Sequence, residues 1–362
     1  MGLFANVAAA TCVATVLLAH PARADDLDLP PPPVRWGDRM LADHTFLFPA
    51  LYAGAFIPTY FGVTQGVYEE HIPSVPLPFG NSGNLDLIGY VAAVNLGVKI
   101  VDWFGVQATG TGLAVVGTGG ESVIYSGGNL NVGGSIAPIV RIARIESTGT
   151  QVSARGQIGW LKGAALDVPR FLLLGQSAIA SANDPADAAG AIGRGIIGGG
   201  LTRVIIEGVD TFGLNGEVAA AQAFGPMFGL QAALTFQRRL TGVNLRQPVS
   251  GSFRESDTRY DLLADVSFEW DGDSLHVPVA AIVEYEANAR LGGTGDEGLE
   301  QDGLGVHTIG GGVYYSGRKD LQVGIFGATK RNLRAIPGVA DAPGQSGTPS
   351  VQIGEFVMRY IW

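Results

Sequence analysis

The segment formed by residues 351–362 alternates between apolar and polar side chains, which defines two faces. A period of two is typical of a β-strand, because successive side chains of a strand point to opposite sides. One side of this strand is apolar and ends on an aromatic residue, and the other side carries charge. Such a strand suits a boundary between lipid and water, which limits the folds open to the chain. The apolar face carries Phe356, Met358, Tyr360 and Trp362, and the polar face carries Glu355 and Arg359.

Three earlier segments, residues 150–161, 258–271 and 274–290, alternate in the same way. In 258–271 an apolar face lies opposite a face rich in carboxylates, and the same is true of 274–290. Mean hydropathy is positive, at +0.24, yet no apolar run after residue 24 is long enough for a membrane-spanning helix. Alternation explains both facts, since it raises hydropathy without producing long apolar runs.

Residues 1–24 have the form of a secretory signal peptide. An apolar run, Val7 to Ala19, precedes Ala22-Arg23-Ala24, which has the small-x-small pattern of a cleavage site. We therefore predict export, with cleavage near Ala24. The single cysteine, Cys12, lies within this leader, so disulfides, thiol nucleophiles and Cys-based zinc sites are excluded from the mature chain. The net charge of −10 also argues against nucleic-acid binding.

The C-terminal strand that ends on Trp362 resembles the closing strand of Gram-negative outer-membrane β-barrels. The resemblance implies an antiparallel transmembrane barrel in the bacterial outer membrane, whose last strand is recognised by the barrel assembly machinery. Such barrels have short periplasmic turns and longer outer loops. The sequence shows this asymmetry, with short turns near residues 102, 148, 272 and 318.

Thirteen candidate strands can be placed, and bacterial single-chain barrels normally have an even number. We treat 194–208 and 211–223 as separate strands, and expect twelve strands if Gly225-Pro226 bends one long strand or fourteen if Val243 to Phe253 adds another. We prefer fourteen, because a single strand from 211 to 238 would far exceed the roughly 9–11 residues of a membrane crossing. A pre-barrel segment and fourteen strands would also be similar to the long-chain fatty-acid transporters. We expect residues 46–362 to form the barrel.

For two other regions the sequence predicts a structure other than a barrel strand. Residues 25–45 include consecutive prolines, Pro30 to Pro33, and we expect a periplasmic tail there, with a plug folded into the lumen as the alternative. The outer loop 162–193 contains two Asp residues that precede prolines, Asp167 and Asp184, which resemble helix N-caps. We expect a partly helical loop there that acts either as a constriction or as a passive outer loop.

The hairpin 258–290 allows a specific prediction of register. Asp271-Gly272-Asp273-Ser274 fits a two-residue turn with glycine at its first central position. The resulting ladder places Glu269 opposite His276, Asp261 opposite Glu284, and Arg259 opposite Glu286. Opposed carboxylates repel, so we expect the Asp261 and Glu284 pair to share a proton, to be bridged by a base, or to hold a cation.

These patterns yield two sets of candidate residues. The first is expected to line a polar lumen and the second to lie at the membrane interfaces. The lumen candidates are Lys99, Arg155, Glu217, Arg259, Asp261, Asp265, Glu269, His276, Glu284, Glu286, Glu355 and Arg359. The interface aromatics are Trp103, Trp160, Tyr260, Trp270, Tyr360 and Trp362.

The leading functional prediction is a passive channel or transporter for small solutes, with the excess of acidic lumen candidates favouring cations. The alternative is a closed barrel that serves as a structural or adhesive platform through its outer loops. A lipid hydrolase is a further alternative, since some outer-membrane barrels carry a serine and a histidine on the barrel wall. Only His307 has hydroxyls nearby in sequence, and there is no G-x-S-x-G elbow. We therefore predict no catalytic, metal or cofactor site.

Overall fold

A computed structural model describes residues 36–76, 82–118, 128–166, 205–247, 251–294, 303–332 and 350–362. The chain divides into two units, Met1–Arg35 and Trp36–Trp362, and the structure described below is that of the second unit. The predicted signal peptide, its cleavage site and residues 25–35 of the N-terminal segment lie outside the described residues. Most of the predicted helical loop 162–193 lies outside them as well.

Twelve antiparallel strands form one closed barrel. Each strand pairs with its neighbours in sequence, and the last strand closes the barrel by pairing with the first. Closure removes every exposed strand edge, so the backbone polar groups of the wall are satisfied within the sheet. The barrel strands are β3 (Tyr60–Pro76), β4 (Ser82–Val101), β5 (Phe104–Gly117), β6 (Gly128–Ile145), β7 (Thr150–Leu166), β8 (Ile205–Phe224), β9 (Phe228–Gln247), β10 (Gly251–Asp271), β11 (Val279–Thr294), β12 (Gly303–Tyr315), β13 (Leu321–Asn332) and β14 (Ser350–Ile361).

The preference for fourteen strands is wrong. Residues 205–224 form one strand, so 194–208 and 211–223 are not separate crossings, and residues 243–247 and 251–253 belong to the ends of β9 and β10. The overcount came from splitting β8 and from counting the ends of β9 and β10 as a further strand, whereas the division of 211–238 into two strands is confirmed by β8 and β9. A membrane crossing needs about 9–11 residues. Several strands here have 20 or 21 residues and continue beyond that length at the end with the long connections.

The predicted register of the 258–290 hairpin is also wrong. The connection is not a two-residue turn, since it runs from 272 to 278 and contains a 3-10 turn, Asp273–Leu275. Glu284 therefore lies opposite Ser267, and Glu286 lies opposite Asp265. The ladder is displaced from the prediction by an even number of residues, so each side chain keeps its predicted face while its partner changes.

The two faces of the wall differ as the alternation predicts. On β14, Phe356 and Tyr360 are exposed on the outer surface, whereas Val357 and Arg359 are buried on the inner side. The outer surface has many exposed apolar side chains from the other strands as well, which a soluble protein would not tolerate over so large an area. The wall is therefore suited to a lipid environment.

The predicted interface aromatics form two groups. One group lies near the end of the barrel that carries the short turns, here called the short-turn end. It contains Trp103 in the β4–β5 turn, Trp270 near the end of β10, and the neighbouring rings of Tyr360 and Trp362, whose centroids are 5.7 Å apart. Trp160 and Tyr260 form the other group. Each lies roughly 10 residues from the short-turn end of its strand, which is the length of one membrane crossing.

Replacing an outward-facing apolar residue by arginine should destabilise the barrel strongly. Ile325 on β13 is 66% exposed and lies opposite Phe356, midway between the two aromatic groups. We expect Ile325→Arg to lower the free energy of unfolding in lipid vesicles by about 2–4 kcal/mol, since arginine must be moved to the middle of the bilayer. Thr109→Arg, on the lumen side, is the control and should have a much smaller effect.

Candidate functional site

Residues 36–59 precede the first barrel strand and lie at the short-turn end of the barrel. A 3-10 turn, Trp36–Arg39, leads into a small hairpin formed by β1 (Met40–Leu41) and β2 (His44–Thr45). Residues 46–57, here called the plug segment, then pass through the lumen in an irregular conformation. Both ends are fixed to that end of the barrel, because Arg39 Nη2 donates to Lys319 O at 2.6 Å and Trp362 N donates to Thr59 O at 3.0 Å.

Two carboxyl groups of the wall accept hydrogen bonds from backbone amides of the plug segment. Glu284 accepts from Ala50 N and from Leu51 N, each at 2.8 Å. Glu269 accepts from Leu47 N at 2.6 Å. An irregular segment cannot satisfy its own amides, and a buried unpaired N–H is destabilising. The carboxyl groups therefore replace the sheet partners that this segment lacks.

Donor side chains from other strands satisfy the carbonyl groups of the plug segment. These donors come from β7, β9 and β14, so the segment is held from several sides of the barrel. The hydrogen bonds are Gln151 Nε2 to Ala55 O (2.6 Å), Ser153 Oγ to Ala55 O (2.6 Å), Arg155 Nη2 to Gly54 O (3.0 Å), Gln231 Nε2 to Leu47 O (2.9 Å) and Arg359 Nη1 to Phe48 O (2.9 Å).

The apolar side chains of the plug segment pack against small residues of the wall. Phe46 and Phe56 are almost fully buried, with ring centroids 4.9 Å apart. Gly229 provides further room, since a Cβ at this position would lie 2.7 Å from Phe46 Cε1 and even closer to the His44 ring. The lumen is therefore filled at this level. The wall residues of this cluster are Ala219, Ala221, Ala223 and Ala233.

Acidification should loosen the hairpin that precedes the plug segment. His44 is fully buried, its Nδ1 lies 3.1 Å from Pro226 O, and burial lowers its pKa despite nearby Asp271, with Arg39 adding to the decrease. A histidine with a lowered pKa stabilises the docked state above its free pKa of about 6.5, and this contribution is lost as the pH falls. The protection factors of residues 40–47 against hydrogen exchange should fall below that pH, by up to about tenfold per pH unit.

The matched variant for this prediction is His44→Gln, which cannot titrate. Its protection factors should depend less on pH than those of the unmodified protein. Identical pH dependence in the two proteins would mean that His44 does not control docking.

A cavity of ≈ 390 Å³ lies on the other side of the plug segment, toward the long connections. Its floor is made by the plug segment, including Phe48, Leu51 and Tyr52. A second space in the lumen shares Thr109 and Asn215 with it among other lining residues, so the two are adjacent. The lumen is therefore blocked at the short-turn end and contains a mainly polar chamber above the block.

The structure separates the predicted lumen residues into groups. Arg155, Glu269, Glu284 and Arg359 contact the plug segment, and Lys99 binds Asp38 of the preceding 3-10 turn at 2.7 Å. The cavity is lined by Glu217, Asp265, Glu286, Glu355 and Arg359.

The three remaining lumen candidates lie elsewhere. Arg259 and Asp261 form an ion pair at 2.7 Å on β10. His276 is an exposed residue in the β10–β11 connection, so its predicted position opposite Glu269 is wrong. Asp261 lies opposite Arg290 and not Glu284, and Arg259 lies opposite Gly293 and not Glu286. The longer connection explains all three errors.

The plug contacts are the feature that sequence reasoning missed, although β8 contains a signal. Its lumen-facing series begins with polar Glu217 and continues toward the short-turn end as Ala219, Ala221 and Ala223, all buried. A water-filled lumen does not require small apolar residues at successive inward positions. Such a change from polar to apolar on the inner face indicates that something packs there.

Within the described residues, the chemistry of a hydrolase is not assembled. The Nδ1 atom of His307 contacts the hydroxyl of Tyr285 rather than a serine. No group of three His, Cys, Asp or Glu side chains in this part of the chain is arranged to hold a metal ion. The described residues also contain no helix long and apolar enough to cross a membrane.

Comparisons with known proteins identify a fold and no narrower group. No protein-family model matches the sequence, and no curated protein matches it. Among solved structures, an outer membrane channel from Pseudomonas putida aligns with a TM-score of 0.52 and 10% identity, over 88% of this chain and 100% of that chain. The translocator domain of the autotransporter NalP from Neisseria meningitidis has a TM-score of 0.47 and 10% identity, over 83% of this chain and 88% of that one.

A FadL homologue from Pseudomonas aeruginosa has a TM-score of 0.41 and 10% identity, over 90% of this chain and 95% of that one. Of these structures, the Pseudomonas putida channel supports a shared fold, and a fold alone, at 10% identity. Because the barrel has twelve strands, it does not share the strand number of the fourteen-stranded fatty-acid transporters. The closed barrel, its apolar outer face and its two groups of aromatic residues agree with the similarity to the Pseudomonas putida channel. The chain therefore has the fold of the Gram-negative outer-membrane β-barrels.

Proposed function

We propose that the protein is an outer-membrane channel or passive transporter for small solutes, and that the plug segment closes it. The observation that carries the proposal is the polar chamber above a segment that is held by hydrogen bonds and packing and is not itself a barrel strand. The proposal includes export, cleavage near Ala24 and assembly through the C-terminal strand. The Pseudomonas putida structure, described as an outer membrane channel, supports this class of function.

The charge of the chamber favours cations over anions. Four carboxyl groups line the cavity, those of Glu217, Asp265, Glu286 and Glu355, and Arg359 is the basic residue among its lining residues. Arg359 also donates to the plug segment at Phe48 O. Rings of acidic side chains select cations because they offset the loss of hydration in a narrow space.

Ion selectivity tests this part of the proposal. With the plug segment removed, the reversal potential in a potassium chloride gradient should show preference for K⁺ over Cl⁻. Asp265→Asn combined with Glu286→Gln should reduce this preference, whereas Glu146→Gln, an exposed carboxyl in a short turn, should leave it unchanged. Anion preference, or equal effects of the two changes, would contradict cation selection in the chamber.

A closed barrel that acts as a surface platform is the second candidate. The observation in its favour is the complete burial of Phe46 and Ala55 within the lumen. A barrel that must never open gains stability from a packed interior, and its function would then lie in its outer loops. The two candidates differ in whether the lumen conducts once the plug segment is removed.

A further inference from the structure

Two carboxyl groups face each other on the wall of the chamber. Asp265 on β10 lies directly opposite Glu286 on β11, and both side chains line the cavity. Directly opposed residues of an antiparallel pair have Cβ atoms roughly 4.5–5.5 Å apart, and like charges at that distance destabilise the pair. The pair therefore needs a positive group or a proton between its members.

Asp265 is the unusual member of this pair. Its side chain is only 5% exposed, and its Oδ1 atom has no hydrogen-bond partner among the described residues. Glu286 accepts one hydrogen bond, from Thr308 Oγ1 at 3.3 Å. Buried polar atoms in folded proteins are nearly always hydrogen-bonded. The carboxyl group of Asp265, a residue that lines the cavity, can therefore accept a further hydrogen bond from a bound ligand.

Two other acidic residues of the lumen have a basic partner. Glu217 accepts from Arg155 Nη1 at 2.9 Å, and Asp261 accepts from Arg259 Nε at 2.7 Å. The fold therefore neutralises these two carboxylates, whereas Asp265 lines the cavity and has no basic partner among the described residues. A general excess of carboxyl groups in the lumen does not explain why Asp265 differs from Glu217 and Asp261.

The surface next to the pair is aromatic and apolar. The hydroxyl of Tyr52 lies 2.8 Å from Ser267 Oγ, and Ser267 is the next lumen-facing residue after Asp265 on β10. Phe48, Leu51 and Leu263 also line the cavity. A hydrated metal ion gains nothing from such a surface, whereas an organic cation can place its apolar part there and its charge near an aromatic face.

We propose that the chamber binds a small organic cation, a primary ammonium with a short apolar or aromatic body. The ammonium group lies between Asp265 and Glu286, where its three donors meet carboxyl oxygens. The body of the ligand lies against Tyr52 and the plug segment. A cavity of ≈ 390 Å³ is large enough for such a molecule. The inference rests on the proposed function and names the class of solute that the channel would accept.

Calorimetric titration of the full chain in detergent micelles tests the inference. The probe is benzylammonium chloride at constant ionic strength and neutral pH, and benzyl alcohol is its uncharged analogue. We expect benzylammonium to bind at least about tenfold more tightly than benzyl alcohol, because a hydrogen bond to a charged group is stronger than a neutral one. Asp265→Asn should weaken benzylammonium binding by about tenfold or more.

Glu146→Gln is the matched control, since Glu146 is an exposed carboxyl in a short turn and does not line the cavity. This variant should bind benzylammonium as the unmodified protein does. Equal binding of the alcohol, no effect of Asp265→Asn, or full competition by sodium ions would overturn the inference. Titration in micelles requires no conduction, so a protein that conducts without binding the probe would contradict this inference and leave the proposed function intact.

Discussion

Deleting residues 36–57 should convert a barrel with little conductance into an open channel. The deletion removes the plug segment and its hairpin but leaves all twelve strands and the β14–β3 closure, so the wall can still form. In planar bilayers, the full chain should show current close to that of the bare membrane, and the shortened chain should show steady resolved openings. The reason is that the plug segment fills the lumen where Phe46, Ala55 and Phe56 are buried.

A synthetic peptide with the sequence of residues 36–57 provides the control. Added to the side of the short turns, it should restore the low-current state of the shortened chain, whereas a scrambled peptide should not. An insulating shortened barrel that is correctly folded would favour the platform function. Equal currents through both proteins would show that these residues do not close the lumen.

Replacing Glu284 by alanine should release the middle of the plug segment while the barrel stays folded. The change removes the acceptor of both Ala50 N and Leu51 N. Each buried amide left without a partner costs about 1–3 kcal/mol, so docking should weaken by roughly 2–6 kcal/mol for the two amides. Hydrogen exchange measured by mass spectrometry should then show at least about 30-fold faster exchange across residues 46–52.

Glu355→Ala is the control for this prediction, because Glu355 is also a lumen carboxyl on the wall but makes no hydrogen bond to the plug segment in the described structure. Its exchange rates should match those of the unmodified protein. If Glu284→Ala also leaves exchange unchanged, then packing rather than the carboxyl group holds the segment. Faster exchange in every barrel strand would mean that the change unfolds the wall instead.

Both predictions depend on how the wall holds the plug segment in the lumen. The plug segment has no regular secondary structure between residues 46 and 57, so its docking depends on side chains of the wall for nearly every backbone contact. Such contacts can be lost one at a time, unlike the cooperative ladder of a strand. A segment held in this way can be fixed in the resting protein and still be displaced without damage to the barrel.

The sequence determined the nature of the wall. Alternation on β10, β11 and β14 predicted the barrel fold, which residues face outward and which carboxylates face inward, because the side-chain period of a strand is a local property. It did not determine the strand number or the partners across the β10–β11 hairpin. Those depend on where each strand ends, and strands that continue beyond the membrane give no compositional signal at its boundary.

Only the tertiary structure decided what occupies the lumen. Residues 46–57 show no periodicity, and their contacts with Glu284, Gln231 and Arg359 join positions far apart in the chain. The same applies to the Asp265 and Glu286 pair, which forms because the connection at 272–278 is longer than a tight turn. Pairing across a sheet and filling of a cavity are set by geometry between distant segments, whereas the direction of a side chain on one strand is set by its immediate neighbours.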